Sequence, residues 1–143
     1  MKQLEEIVRE RMLQWGAHGL DHTLRVRGLA LTLAEKEHAD KEIVEAAAML
    51  HDIARAKEDK NKGVCHAEQG AIEAEKVLSK LDFPKEAIAK VQYCITVHRV
   101  SKGLKAETPE AKILQDADRL DVLGAIGIGR VFAPTPPMYR YSS

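Results

Sequence analysis

Apolar side chains recur every three or four residues along most of the chain, which is the spacing that places them on one face of an α-helix. Residues 55–64 depart from this pattern because they are charged and include Gly63, and they are predicted to form a mobile loop. No segment reads as a sheet, so we predict an all-α fold of five to seven helices. The predicted helices cover approximately residues 3–15, 21–38, 41–52, 65–81, 84–98 and 109–126.

Capping residues indicate where several of these helices begin. Asp21, Asp40 and Thr108 each precede an apolar stripe and are predicted to be N-caps. Pro84 and Pro109 suit the first turn of a helix, where a missing amide hydrogen leaves no intrahelical bond unmade. The last helix is apolar on most sides, so it is predicted to lie at the centre of the domain.

The composition is that of one globular domain. The 143 residues suit a single core, and we assign residues 1–132 to a helical domain and residues 133–143 to a Pro-rich tail. The formal net charge is zero, which argues against a large nucleic-acid interface. The amino terminus is charged, no apolar stretch is long enough to cross a bilayer, and Cys65 and Cys94 lack metal or redox spacing. We therefore expect a cytoplasmic protein with no membrane partner.

Three of the predicted helices place a histidine or an aspartate where apolar residues are expected. His22 opens one apolar stripe, His51 and Asp52 end another, and Asp118 lies on the stripe of the last helix. A buried carboxylate needs a compensating charge. The ordinary alternative is that His51 is packed, Asp52 is solvated and an arginine neutralises Asp118. Together, however, the four residues form a set of imidazole and carboxylate ligands that suits a divalent metal.

The sequence around these residues resembles that of a known family. In order, the segments 21–26 (DHTLRV), 49–53 (MLHDI) and 115–128 (QDADRLDVLGAIGI) resemble the opening helix, the His-Asp doublet and the closing helix of the HD superfamily of metal-dependent phosphohydrolases. The resemblance covers roughly residues 15–131. It implies an HD-domain helical bundle and a divalent metal cofactor, which is Mn, Fe, Co, Ni, Mg or Zn. The implied metal ligands are His22, His51, Asp52 and Asp118.

Further polar residues fit the same resemblance. Histidines at the corresponding places bind a second metal or the substrate phosphate in parts of the superfamily, which implies one of these roles for His66 and His98. Each has an ordinary alternative, because His66 can be a polar residue at a helix start and His98 a cation at a helix end. The residues expected to contact substrate phosphate are Arg25, Arg55, Lys57 and His18.

The group that transfers protons is not assigned by the resemblance. Asp52 is implied to be catalytic as a metal ligand, but some HD hydrolases carry an acid three residues after the doublet, where this chain has Arg55. Glu68, Asp116 and Asp121 remain candidates for the general acid or base, and the sequence does not rank them.

The function implied by the resemblance is hydrolysis of a phosphoester or phosphoanhydride bond by a metal-dependent phosphohydrolase. The expected partner is a small phosphorylated molecule, a nucleotide above all, and the enzyme would resemble a nucleoside triphosphate pyrophosphohydrolase or a phosphomonoesterase. The alternative is a non-catalytic signalling module that binds metal or nucleotide, which Arg55 and the short carboxyl end favour. The short end is also expected to leave apolar surface that self-association covers, as a homo-oligomer.

Overall fold

The fold is a bundle of helices. The computed structural model describes residues 1–12, 17–60, 63, 65–99 and 102–132, and within them no strand forms, which confirms the all-α prediction. Apart from the six-residue α4, the described part of the chain forms seven helices, and none of the described helices is long and apolar enough to cross a membrane. The tail predicted at 133–143 lies outside the described residues. The helices are α1 (Lys2–Arg11), α2 (Leu20–Lys36), α3 (Lys41–Leu50), α4 (Arg55–Lys60), α5 (His66–Lys80), α6 (Lys85–Val97), α7 (Pro109–Leu120) and α8 (Gly124–Phe132).

Helix α3 lies at the centre of the core. Every residue from Ala46 to Leu50 is at most 1% exposed, and the helix packs against α1, α2, α6 and α7. The alanines at 46–48 have small side chains, which lets these neighbours approach closely. The sequence pattern predicts this central position for the last helix, and that prediction is wrong, because α7 buries only one face while Asp116 and Arg119 on its other side are exposed.

Two of the predicted N-caps are confirmed. The Asp40 carboxylate accepts hydrogen bonds from the backbone N–H groups of Glu42 (3.0 Å) and Ile43 (3.2 Å) at the start of α3. The Thr108 hydroxyl accepts one from the backbone N–H of Ala111 (3.3 Å) at the start of α7. These bonds satisfy amide groups that have no partner within the helix, and they fix where the two helices carrying His51 and Asp118 begin.

Two other helix starts differ from the prediction. α2 begins at Leu20 with Gly19 as its N-cap, so Asp21 lies inside the first turn instead of preceding it. There its carboxylate pairs with Arg25, one turn later (3.0 Å), and also suits the positive end of the helix dipole. α6 begins at Lys85, which makes Pro84 its N-cap and not its first helical residue.

The segment predicted to be a loop at 55–64 is helical over its first six residues, which form α4. Charged side chains do not prevent a helix here, because residues 55–60 contain neither glycine nor proline. Arg55 pairs with Glu58 three residues later (3.4 Å), the spacing at which helical side chains meet. Glu58 also contacts His66 at the start of α5, which holds the short helix against its neighbour.

The last predicted helix is broken into two. α7 ends at Leu120 and α8 begins at Gly124, whose φ of +67° lies in the left-handed region that favours glycine. The turn carries the chain away from the core, so Leu123 and Ile126 are 63% and 52% exposed although the sequence pattern assigns them to a central helix. Whether a second copy of the chain covers this apolar surface stays a prediction.

Candidate functional site

The four residues expected to bind a metal lie together at the ends of three helices. His22 is in the first turn of α2, His51 ends α3 and is followed at once by Asp52, and Asp118 is in the last turn of α7. The Nε2 atom of His22 is 3.3 Å from Nε2 of His51 and 3.3 Å from Oδ1 of Asp118. Asp52 Oδ2 is 3.6 Å from His51 Nε2 and 3.8 Å from His22 Nε2. Nε2 of His22 therefore lies within 3.8 Å of a ligand atom of each of the other three side chains.

The local sequence explains why these polar groups point inward. Val26 follows His22 by one helical turn, and Ala47 precedes His51 by one turn, and both apolar residues are fully buried on the same faces. His22 is 0% exposed, His51 1% and Asp52 4%, whereas the Asp118 side chain is 31% exposed. Three of the four side chains are therefore buried, and Asp118 is the most exposed of them.

A second group of donors adjoins the first and shares Asp52 with it. The other carboxylate oxygen of Asp52, Oδ1, lies 3.5 Å from Nε2 of His66. The ring centroid of His98 lies 5.3 Å from that of His66 and 5.4 Å from that of His51. Asp52, His66 and His98 each offer a ligand atom within 4.8 Å of the others, as do His22, His51 and Asp118. Asp52 thus faces one group with each of its oxygens.

Backbone carbonyls fix the hydrogen position on two of the imidazoles. Nδ1 of His51 is 2.7 Å from the carbonyl oxygen of Ala48, and Nδ1 of His98 is 2.5 Å from that of Ile95. A carbonyl oxygen can only accept, so Nδ1 carries the hydrogen in both rings and donates it. In the neutral rings the lone pair is then on Nε2, the nitrogen that faces the two groups of donors.

Carboxylates fix the same tautomer in the other two buried rings. Nδ1 of His22 donates to Oδ2 of Asp121 at 2.7 Å. Nδ1 of His66 contacts the Glu58 carboxylate more closely than it contacts the Arg55 guanidinium (3.1 Å), so it too acts as a donor. An imidazole that donates one N–H to an outer acceptor while its other nitrogen faces inward is the usual arrangement of a metal-binding histidine.

The protonation states suit a cation. Burial opposes ionisation of Asp52, but the imidazoles of His51 and His18 outweigh it and hold the pKa of Asp52 well below its usual range. Burial opposes ionisation of Asp118 as well, but the adjacent imidazoles of His22 and His51 outweigh it and lower the pKa of Asp118 to about 2. Burial lowers the pKa of His98 to about 4, and the neighbouring His51 adds to this effect. Near neutral pH the centre therefore combines ionised carboxylates with a neutral His98.

This donor set fits a divalent metal ion. Two imidazole nitrogens that both carry lone pairs face each other at 3.3 Å, and two ionised carboxylates lie beside them, of which that of Asp52 is buried. These negative ends repel one another unless a cation lies between them. Imidazole and carboxylate ligands together accept Zn, Fe, Mn, Co or Ni.

Two of the residues expected to contact phosphate lie beside the centre. Nδ1 of His18 is 2.8 Å from Oδ2 of Asp52, and the His18 side chain is 37% exposed, so it lies at the opening. Arg55, whose side chain is 18% exposed, lies next to His66 on the side of the second group. The side chains of His18 and Arg55 therefore lie where they would contact an anion bound next to the buried imidazoles and carboxylates.

The other expected substrate and proton-transfer residues lie elsewhere. Arg25 donates to Asp121, behind His22, at 2.7 Å. Three more of these side chains form ion pairs at the protein surface: Lys57 with Glu73 (2.9 Å), Glu68 with Lys102 (3.4 Å) and Asp116 with Arg119 (3.2 Å). Asp121 itself contacts the Nδ1 edge of His22 and not the Nε2 edge that faces the other donors.

Three residues at the centre have no counterpart among the predictions. Glu58 accepts from Arg99 (2.7 Å) as well as from His66, and Arg130 of α8 donates to Asp121 (2.9 Å). The spacing of Arg55 and Glu58 was a usable signal for a helix at this point. No comparable signal exists for Arg99 or Arg130, because their partners are 41 and 9 residues away in the chain and meet only in the folded molecule.

Comparison with known proteins points to one family. The family model described as HD domain matches residues 19–123. The chain is 38% identical over 124 residues to the uncharacterized protein YpgQ of Bacillus subtilis (strain 168), a match that covers 80% of this chain and 56% of that protein. The chain thus spans little more than half the length of this curated relative.

Solved structures show the same similarity. A crystal structure described as a predicted HD superfamily hydrolase, from an uncultured Thermotogales bacterium, superposes with a TM-score of 0.79 at 39% identity, over 92% of this chain and 74% of that one. The structure of B. subtilis YpgQ in complex with ADP superposes with a TM-score of 0.71 at 33% identity, over 92% of this chain and 64% of that one.

Proposed function

The chain belongs to the HD domain family, and from this premise we propose that it is a metal-dependent phosphohydrolase that cleaves a phosphoester or phosphoanhydride bond of a nucleotide. One observation carries the proposal. Ligand atoms of His51, Asp52 and Asp118 all lie within 3.8 Å of Nε2 of His22, and the imidazole lone pairs face inward. When bound there, a divalent cation supplies Lewis acidity, which polarises a phosphoryl oxygen and makes water a stronger nucleophile near neutral pH.

The second group, which contains His66 and His98, is better suited to a second cation than to a phosphate. With Nδ1 acting as the donor, each neutral ring presents a lone pair on Nε2, and a phosphate oxygen is itself an acceptor. Asp52 directs one oxygen to each group, as a carboxylate shared by two metal ions does. We therefore favour His66, His98 and Asp52 as ligands of a second metal ion.

The residues at the opening support an anionic substrate. The guanidinium groups of Arg55 and Arg99 both donate to Glu58, at 3.4 Å and 2.7 Å, beside the second group of donors. Nδ1 of His18 donates a hydrogen bond to the Asp52 carboxylate, and the His18 side chain is partly exposed. These side chains would bind and orient phosphate oxygens next to the buried donors, with Arg offering paired N–H groups.

A nucleotide is the substrate class that the relatives favour. A crystal structure of B. subtilis YpgQ, 33% identical to this chain, contains ADP. A nucleoside di- or triphosphate would place several phosphate oxygens near the guanidinium groups of Arg55 and Arg99, which can donate to them. The proposal for this chain is accordingly a nucleoside triphosphate pyrophosphohydrolase-like or phosphomonoesterase activity on a nucleotide.

A non-catalytic module that binds metal or nucleotide for signalling is the second candidate. The observation in its favour concerns proton transfer. Of the three residues considered as general acid or base, Glu68 and Asp116 lie in surface ion pairs and Asp121 is turned away from the donor atoms. Binding without turnover would follow if no other group moves the proton.

A product-release panel separates the two functions. Nucleoside tri-, di- and monophosphates and simple phosphomonoesters would be offered with Mn, Mg, Co, Fe or Ni, and phosphate, pyrophosphate and nucleotide products would be measured. We expect metal-dependent turnover that is lost in Asp52→Asn, because this change removes the charge shared by both groups of ligands. Asp116→Asn is the matched control on the exposed face of α7, and it should retain wild-type turnover.

Absence of turnover with every metal, from protein that still binds metal and ADP, would favour the signalling module. Equal turnover in wild type and Asp52→Asn would contradict the assignment of the centre.

A further inference from the structure

A buried carboxylate held by two arginines lies directly behind His22. We call this group the Asp121 brace, and it consists of Asp121, Arg25 and Arg130. Oδ1 of Asp121 accepts from Nε of Arg25 at 2.7 Å. Oδ2 accepts from Nη1 of Arg130 at 2.9 Å, from Nη2 of Arg25 at 3.1 Å and from Nδ1 of His22 at 2.7 Å. Both oxygens of the carboxylate are therefore engaged.

Asp121 and Arg130 of the brace are largely buried, and the brace is anchored to the backbone on its far side. The Asp121 side chain is 2% exposed and that of Arg130 is 10% exposed. Nε of Arg130 donates to the carbonyl oxygen of Ala17, three residues before α2, at 2.9 Å, and Nη1 donates to the carbonyl oxygen of Asp121 at 3.3 Å. Arg130 thus joins α8 to the segment that leads into α2, the helix that carries His22.

The charge of the brace dictates the tautomer of His22. Asp121 is contacted by two guanidinium groups, at 2.7 Å from Nε of Arg25 and 2.9 Å from Nη1 of Arg130, and their positive charges favour the ionised carboxylate. An ionised carboxylate is only an acceptor, so the hydrogen of His22 must lie on Nδ1. This leaves the Nε2 lone pair aimed at Asp118 and His51, each 3.3 Å away.

We propose that Asp121 is a positioning residue for His22, and that Arg130 makes the metal affinity of His22 depend on the position of α8. The inference rests on the metal centre of the proposed function. Asp121 neither faces the other donors nor takes part in proton transfer. It holds the imidazole in the one tautomer and orientation that can bind a metal through Nε2. Helix α8 reaches this imidazole through two hydrogen-bonded side chains.

The first test replaces the carboxylate by an amide. In Asp121→Asn, the single amide oxygen is drawn to the guanidinium groups, so the NH2 group faces Nδ1 of His22 and moves the imidazole hydrogen to Nε2. We expect the dissociation constant for Mn²⁺, measured by calorimetry on the full chain, to rise about 10- to 100-fold. Nitrogen-15 NMR of the metal-free protein should show His22 with its hydrogen on Nδ1 in wild type and on Nε2 in the variant.

The second test separates α8 from the brace. Arg130→Gln should weaken Mn²⁺ binding about 10-fold while circular dichroism shows the helical content retained. Arg130→Lys keeps the positive charge and should recover most of the affinity. Arg119→Gln is the matched control, because Arg119 is an exposed arginine whose guanidinium donates to Asp116 and Gln115 and not to Asp121.

Each outcome decides a separate question. Wild-type Mn²⁺ affinity and an unchanged His22 tautomer in both Asp121→Asn and Arg130→Gln would overturn the positioning role. Wild-type protein that binds no Mn²⁺ would instead contradict the metal centre, and the tautomer comparison would still support or overturn the role of Asp121.

Discussion

Asp52 is a buried carboxylate with imidazole nitrogens beside both of its oxygens. His18, His22 and His51 lie near Oδ2, and His66 lies near Oδ1. A positive charge nearby, on a protonated imidazole or on a cation that the imidazoles bind, offsets the cost of burying such a carboxylate. Asp52 therefore links the two groups of ligands electrostatically as well as geometrically, and a change at one group should be felt at the other.

The buried histidines predict how the stability of the metal-free protein depends on pH. His98 has a pKa of about 4 in the folded protein, against an ordinary value of 6.5, because it is buried. The unfolded chain therefore binds this proton more readily between pH 6.5 and pH 4. Folding stability is fully present above about pH 6.5 and falls as the pH drops through this window, by at most about 3 kcal/mol for this group.

Urea unfolding in the presence of EDTA between pH 4.5 and 7 would measure this loss. His98→Gln should flatten the decline, whereas His38→Gln, which alters an exposed histidine, should leave the slope as in wild type. A decline of the same steepness in His98→Gln would show that other groups cause it. The carboxyl groups of Asp52 and Asp118 also have lowered pKa values, but they titrate below this window.

Helix α5 approaches the end of α3 at a glycine. A Cβ atom built on Gly70 would lie 3.3 Å from Cγ2 of Ile95 and 3.4 Å from the carbonyl oxygen of His51. The absence of a side chain thus lets α5, which carries His66 at its start, pack against the residue that supplies the His51 ligand. Close packing of two elements here serves the geometry of the candidate site.

Two helical glycines give opposite expectations for substitution by alanine. Gly28 lies inside α2 with no atom within 4 Å of an added Cβ, so Gly28→Ala should raise the free energy of unfolding by about 0.5–1 kcal/mol. Gly70→Ala should show none of this gain, because the new methyl group must displace Ile95 or the His51 backbone. Chemical denaturation of both variants checks the difference, and an equal gain at Gly70 would show that α5 and α3 can separate at no cost.

Element boundaries show where reasoning from sequence succeeded and where it did not. The starts of α3 and α7 were predictable because Asp40 and Thr108 act on amide groups two or three residues away. The break before α8 was not, because the apolar pattern continues through Leu123 and Ile126 while Gly124 turns the chain. Local capping is encoded within a few residues, whereas the end of a helix also depends on what the following residues pack against.

The whole molecule contains a centre built from residues that are far apart in the chain. His22, His51 and Asp118 come from three helices, and they meet because α2 and α7 both pack against α3. A ligand that binds only the folded arrangement stabilises it. The stability of the entire domain should therefore respond to metal.

Thermal unfolding measures this response. At a Mn²⁺ concentration 100 times its dissociation constant, binding adds about 2.7 kcal/mol, which corresponds to a rise in Tm on the order of 5–10 °C for a domain of this size. Asp118→Asn keeps the shape of the side chain and removes a ligand charge, so its Tm should rise much less. Asp116→Asn should respond like wild type, and an equal rise in all three proteins would contradict the role of Asp118.

The sequence by itself determined the all-α class, most of the helices and the set of histidines and aspartates that converge. It could do so because helical periodicity is local, and because a polar residue on an apolar stripe stands out within a few residues of its neighbours. Only the tertiary structure decided that α3 is central and that Arg25 and Asp121 lie behind His22. Only the tertiary structure also decided that Glu58, Arg99 and Arg130 take part. These are long-range pairings of charged side chains, and a charge on a helix gives no sign of its partner until the chain has folded.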